Sequence, residues 1–240
     1  MRLVAKWGFG IGFEEVVAIR RDGDQVEVTN DQMGGELSCS GGSPTITNTD
    51  FIALVEDPTA VQPSVYFDLS KGYMAPGDEV ESSGLSEIEI GVQWTNGFFG
   101  LGGGRNADEF VFGDSSGLPV AKLNNDSDFD ADLGSTASVL VRGEGGADKL
   151  SGKGGPGFSG ALDISMTIEG GGGKDLITGG VKADILYGEG GDDRVSGGEG
   201  RDEIFVKGGG TDRVNCGADR DKVMADKSDK VAGDCERVST

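Results

Sequence analysis

The sequence predicts an all-β fold: a right-handed parallel β-solenoid in its second half, preceded by a β-rich half of longer, degenerate coils. Three observations predict it. Glycine supplies 45 of the 240 residues, more than twice its usual share of about 7%. After residue 143, aspartate and an apolar residue recur every nine positions. No segment carries a long apolar period of helical spacing. So much glycine fits disorder, collagen or a tight-turn repeat. Collagen needs Gly at every third position with abundant Pro, and the chain has 6 Pro. Disorder lacks regular apolar positions, which the second half has.

Residues 1–142 read as irregular β structure. Gln25-Val-Glu-Val-Thr29 alternates apolar and polar, after a turn at Asp22-Gly-Asp24. Further strands are expected at Thr45–Thr47, Phe51–Val55, Val65–Leu69, Ile88–Trp94, Glu109–Phe112 and Ser138–Val141, separated by Gly, Asp, Ser and Pro clusters.

Residues 143–224 form the repeat. Asp148, Asp175, Asp184, Asp193 and Asp202 hold one phase; an extra residue near Val206 shifts it, and Asp212 and Asp221 continue. Two residues after each phase position stand Leu150, Ile168, Ile177, Leu186, Val195, Ile204, Val214 and Val223, with Ser159 the one break. Gly157 and Met166 replace aspartate in the run 152–169. Each unit is a six-residue turn and a three-residue strand whose apolar residue points inward; one unit cannot bury that residue alone, so units must stack. Two units make a lap, so turns two repeats apart lie about 4.8 Å from one another. One edge is expected to carry Asp175, Asp193 and Asp212, and the other Asp148, Met166, Asp184, Asp202 and Asp221.

The formal charge of −21 repels phosphate backbones and argues against nucleic acid. It points to multivalent cations as partners. The chain has no histidine, which removes Ser-His-Asp triads and His-zinc sites. No apolar run approaches the roughly 20 residues of a membrane span. Met1–Glu14 makes a poor signal peptide, because Gly8, Gly10 and Gly12 break its apolar stretch.

Gly170-Gly-Gly-Gly-Lys-Asp175-Leu-Ile177-Thr178 and Gly188-Glu-Gly-Gly-Asp-Asp193-Arg-Val195-Ser196 show the pattern G-G-x-G-x-D-x-U-x, U being apolar. Over about 143–224 the chain resembles the RTX, or hemolysin-type, calcium-binding repeat family. The unit Gly103–Val111 fits the same template but lies 40 residues before Asp148, out of phase. The resemblance implies a β-roll with calcium held between stacked turns. The earlier turn gives the carbonyls of its second and fourth positions and its Asp; the later turn gives its first and third carbonyls and its Asp. Such a set meets calcium's demand for six to eight hard oxygens.

Carried over residue by residue, four sites follow. The first is Gly171, Gly173 and Asp175 with Gly188, Gly190 and Asp193; the second is Gly180, Lys182 and Asp184 with Gly197, Glu199 and Asp202. The third is Glu189, Gly191 and Asp193 with Lys207, Gly209 and Asp212; the fourth is Gly198, Gly200 and Asp202 with Cys216, Ala218 and Asp221. Asp229 and Asp212 are a candidate fifth pair. Asp148 is expected to lack a complete site, because Met166 stands where its partner belongs.

Residues 225–240 read as a cap that covers the last edge. Cys216 and Cys235 are 19 apart, close to one lap, which suits either a disulfide or two buried thiols. A bridge implies an oxidising, extracellular setting. Cys39 has no evident partner. Asp126-Ser-Asp128-Phe-Asp130-Ala-Asp132 lacks the Gly and Glu of an EF-hand and reads as an acidic turn or an extra calcium site. Gly113-Asp-Ser115-Ser-Gly117 matches G-x-S-x-G, but without histidine it reads as a loop. The expectation is a secreted, non-enzymatic, calcium-folded structural or binding module. Two rivals stand beside it: a non-catalytic fragment of a larger secreted enzyme or toxin, and an adhesin or matrix module binding an extracellular ligand near Trp94, Phe98 and Phe99.

Overall fold

The inward apolar residue of each unit sets the architecture. In the computed structural model, Leu150, Ile177, Val195, Val214 and Val231 stand opposite one another in successive parallel strands of one sheet. Ile168, Leu186, Ile204, Val223 and Val238 do the same in a second sheet. Each lap gives one short strand to each sheet, and the two apolar columns meet as a single core down to Val214 and Val223; Val231 packs against its end and Val238 is exposed. Leu150, Ile168, Ile177, Leu186 and Ile204 are fully buried, each contributing about 1.5–3 kcal/mol of transfer free energy. The structure describes residues 2–7, 16–22, 25–30, 51–56, 64–69, 89–93, 95–124 and 128–240.

The first half continues the same two sheets. Above Ile168 the column runs through Val141, Leu101 and Phe67 to Ile19. The other sheet runs up from Leu150 to Phe110, then through the inserted strands to Ile90 and Ile52. Strands Gln25–Asn30, Phe51–Glu56, Ser64–Asp68, Glu89–Gln93, Glu109–Ser115 and Ser135–Arg142 stand where strands are expected. Arg2–Trp7, Val16–Asp22, Thr95–Gly102 and Leu118–Lys122 are additional strands. The expected strand Thr45–Thr47, the turn residues Gly23 and Asp24, Trp94 and Cys39 lie outside the described residues.

Phe99 is fully buried and packs on Phe67 with ring centroids 5.5 Å apart. It belongs to the core and not to an exposed aromatic face; Phe98 is half-buried.

Gly113–Ser115 end the strand Glu109–Ser115, and Ser116-Gly117 is the hairpin turn to Leu118–Lys122. Ser116 and Gly117 have φ of 58° and 88°, the handedness that joins twisted antiparallel strands in a two-residue loop. The returning strand Leu118–Lys122 and the pair Ala131–Asp132 fill the sheet between Glu89–Gln93 and Glu109–Ser115.

Candidate metal centre

Three successive turns of one edge repeat one backbone shape. Gly146, Gly173 and Gly191 have φ of 136°, 145° and 139°, a region that L side chains rarely occupy. Space forbids a side chain as well: a Cβ on Gly173 would overlap the Gly146 carbonyl oxygen, and one on Gly191 the Gly173 carbonyl oxygen. The fourth-position carbonyl of one turn thus points along the stack at the next.

The aspartates form two ladders, one along each edge. On the first, the Asp108 N–H donates to Asp148 Oδ1 at 2.8 Å, Asp148 to Asp175 at 2.9 Å, Asp175 to Asp193 at 2.9 Å, Asp193 to Asp212 at 2.8 Å and Asp212 to Asp229 at 3.1 Å. On the second, Met166 donates to Asp184 at 2.7 Å, Asp184 to Asp202 at 2.9 Å, Asp202 to Asp221 at 2.8 Å, and Asp221 to Glu236 at 2.9 Å.

Two expectations are corrected here. Asp148 stands on the edge of Asp175, not that of Met166, because the 27 residues between them make one lap and not one and a half. The extra residues leave the stack as a loop at the opposite edge, where Gly154 and Ser159 donate to the Phe112 and Asp114 carbonyls. Gly103–Val111, expected out of phase, stacks directly on the roll: Lys149–Ser151 pairs with Glu109–Val111. Its 40-residue lap absorbs the hairpin.

One carboxylate oxygen of each rung is thereby satisfied; at Asp184 and Asp229 the other also accepts a backbone N–H, from Gly180 and Asp226, but at six aspartates it does not. Oδ2 of Asp148, Asp175, Asp193, Asp202, Asp212 and Asp221 is buried with no hydrogen-bond partner. Leaving one such group unmatched costs about 1–3 kcal/mol, and more when it is charged. Burial pushes Asp148, Asp184 and Asp193 up to about 6 and Asp202 up to about 7. It also raises Asp175, Asp212 and Asp221.

These orphaned oxygens sit beside carbonyls. Asp175 Oδ2 and the Gly188 carbonyl lie 2.7 and 2.9 Å from the point a Gly170 Cβ would occupy. Asp202 Oδ2 converges with the Cys216 carbonyl at Gly197; Asp184 Oδ2, which accepts the Gly180 N–H at 2.7 Å, converges with the Gly197 carbonyl at Gly179. Gly180 and Lys182 direct their carbonyls at Gly198 and Gly200 of the next lap, each 2.5 Å from the Cβ position there. The Gly171, Gly180, Gly190 and Gly198 carbonyls also accept inter-lap N–H bonds, which leaves each a second lone pair. Among the described residues, no three His, Cys, Asp or Glu side chains gather at one point. The donor set is hard oxygen, two carboxylates and backbone carbonyls per turn pair, which fits calcium.

The third candidate site differs. The inserted residue falls after Val206, which stacks on Gly188 and is 1% exposed. Lys207 therefore does not take the first position of its turn. Gly209 and Gly210 are the residues that approach the Glu189 and Gly191 carbonyls. Asp229 joins Asp212 as a rung, and its other oxygen accepts the Asp226 N–H at 2.6 Å. Glu236 is a rung that sequence reading passes over: it is not Asp, and its 15-residue separation from Asp221 keeps no phase. Pairing of Lys222–Met224 with Arg237–Ser239 brings it there.

Cys216 and Cys235 are joined by a disulfide with Cα atoms 5.2 Å apart, tying the cap to the last laps. Within the acidic run, Asp130 accepts from Leu123 N–H and Asn124 Nδ2, and Asp132 from Gly134 N–H; Asp126 lies outside the described residues. No helix among the described residues is long and apolar enough to cross a membrane.

Residues 169–204 match the RTX calcium-binding nonapeptide repeat, in 4 copies. This segment belongs to that repeat family, whose repeats bind calcium in a β-roll. No curated protein and no solved structure matches the chain.

Proposed function

We propose that the chain is a non-catalytic extracellular module whose repeat half becomes ordered when it meets calcium, and which serves as a structural or binding unit. The observation that carries this is the run of six buried, unpartnered carboxylate oxygens along the two edges. A bound calcium ion supplies the positive charge and the demand for hard oxygens that these groups lack. Without it, Asp148, Asp175, Asp193 and Asp212 hold like charges on consecutive rungs, and each Oδ2 has lost its water. Because the complete oxygen set exists only when laps are stacked, binding free energy becomes folding free energy. Asp193 and Asp202 each stand between two turn pairs, so neighbouring sites order one another.

The extracellular assignment rests on the Cys216–Cys235 disulfide, a bond that persists in oxidising compartments, and on the repeat family. The gradient from scarce internal to abundant external calcium would then time folding to export. Far-UV circular dichroism during a calcium titration, with magnesium as control, tests the reading. A cooperative gain of β signal with calcium alone supports it. A chain equally folded after chelation would overturn it.

A further inference from the structure

We infer a calcium site between the turns Gly143–Asp148 and Gly170–Asp175, outside the matched repeats and across a 27-residue lap. It rests on the proposed calcium-folding reading and adds a position to it. Its ligands would be the Glu144 and Gly146 carbonyls with Asp148, and the Gly170 and Gly172 carbonyls with Asp175.

Lap length alone makes this turn pair look unlike the matched ones, yet its geometry is theirs. The rung from Asp148 N–H to Asp175 Oδ1 measures 2.9 Å, as does that from Asp175 to Asp193. Gly145–Gly146 pairs in parallel with Gly172–Gly173, and Gly172 bridges in the same sense to Gly190 in the lap below. Gly146 and Gly173 share the positive φ of Gly191. A Cβ on Gly173 would overlap the Gly146 carbonyl as one on Gly191 overlaps the Gly173 carbonyl.

The independent pointer to a ligand is Asp148 itself. The residue is 2% exposed, and its Oδ2 is buried without a partner. That oxygen and the Gly170 carbonyl converge on the point where a Gly143 side chain would sit, as Asp175 Oδ2 and the Gly188 carbonyl do one lap below. The first rung is different. Asp108 Oδ2 accepts the Gly104 N–H at 2.8 Å, so the orphaned oxygens of this edge begin at Asp148. The inserted loop does not intrude, because it leaves at the other edge, where Leu162 and Met166 are buried.

Calorimetric titration of the full chain with calcium, comparing wild type and Asp148→Asn, tests the site. Asparagine keeps an oxygen for the Asp108 N–H but removes the charge, and Asp148 has no part in the matched repeats. The expected result is one calcium fewer per chain, with the later sites still filling, the Asp175–Asp193 pair more weakly because it shares Asp175. Equal stoichiometry would overturn the site and leave the repeat reading intact; no uptake by either protein would overturn both. If the variant does not fold, anomalous scattering from calcium-grown wild-type crystals decides. A peak between Asp148 and Asp175 supports the site, and peaks confined to later laps refute it.

Discussion

Replacing Asp202 by asparagine should change stability in opposite directions with and without calcium. Asp202 is 1% exposed; its Oδ1 accepts the Asp184 N–H at 2.9 Å, and its Oδ2 is a buried orphan beside the Cys216 carbonyl. In the Asp202→Asn variant the side-chain oxygen would retain the first contact, and the amide would present an N–H to the Cys216 carbonyl. An unmatched acceptor thereby becomes a matched donor. Relief of one such group is worth about 1–3 kcal/mol, which raises the folded-to-unfolded ratio in chelator by about 5- to 140-fold.

With calcium the sign inverts, because Asp202 stands between Asp184 and Asp221 and serves two turn pairs. Each calcium lost at a concentration of 100 Kd removes about 2.7 kcal/mol. Burial pushes Asp202 up to about 7. A folded-state value raised above the ordinary one stabilises fully below about 4 and is lost as pH rises through about 7. The gain in chelator should therefore be full at pH 8 and fade toward pH 5, where the wild-type carboxyl is already neutral. The assay is far-UV circular dichroism in EDTA and in calcium, with trimethylamine oxide bringing the metal-free transition into range. A shift of the same sign in both buffers would refute the reasoning.

Other outcomes follow from the same geometry. Calcium affinity should fall between pH 7.5 and pH 5, because protons compete for Asp148, Asp184 and Asp193, raised to about 6 by burial, and for Asp202; calorimetry in buffers of different ionisation enthalpy should show proton release on binding. Gly191→Ala should destabilise the calcium-loaded roll by more than about 1 kcal/mol, since its φ is 139° and its Cβ would strike the Gly173 carbonyl, whereas Gly233→Ala, with open space around it and no positive φ, should cost less in the same melt. Reduction of Cys216–Cys235 should lower the melting temperature, by about 2–4 kcal/mol in stability, while uptake at the Asp175–Asp193 pair persists in a calcium titration. Leu150→Ala should cost about 2–5 kcal/mol in the same melt, because Leu150 is fully buried between Phe110 and Ile177.

The repeat is legible in the sequence because its physics is local. A turn that must adopt positive φ takes glycine, a strand buried on one face takes one apolar residue, and a rung takes aspartate. Nine residues therefore encode a complete unit, and counting alone places Asp175, Asp184, Asp193 and Asp202. Counting fails where laps change length. It puts Asp148 on the wrong edge, because 27 residues make three units but one lap. Which residues leave the stack depends on what the loop packs against, here the Phe112 and Asp114 carbonyls. For the same reason the insertion after Val206 is visible in the sequence, but its place within the turn is not.

Periodicity thus establishes the stacked strands and their inward column, and the resemblance to the RTX repeat implies the oxygen chemistry of the edges, because each depends on residues within a few positions of one another. Three-dimensional stacking settles which turns face each other, that Asp108 and Asp148 extend the ladder and that Glu236 ends one edge. Those pairings join residues 40, 27 and 15 positions apart. A parallel sheet accepts any lap length whose strands return in register, so long-range order is chosen by the packing of the core and not by spacing along the chain.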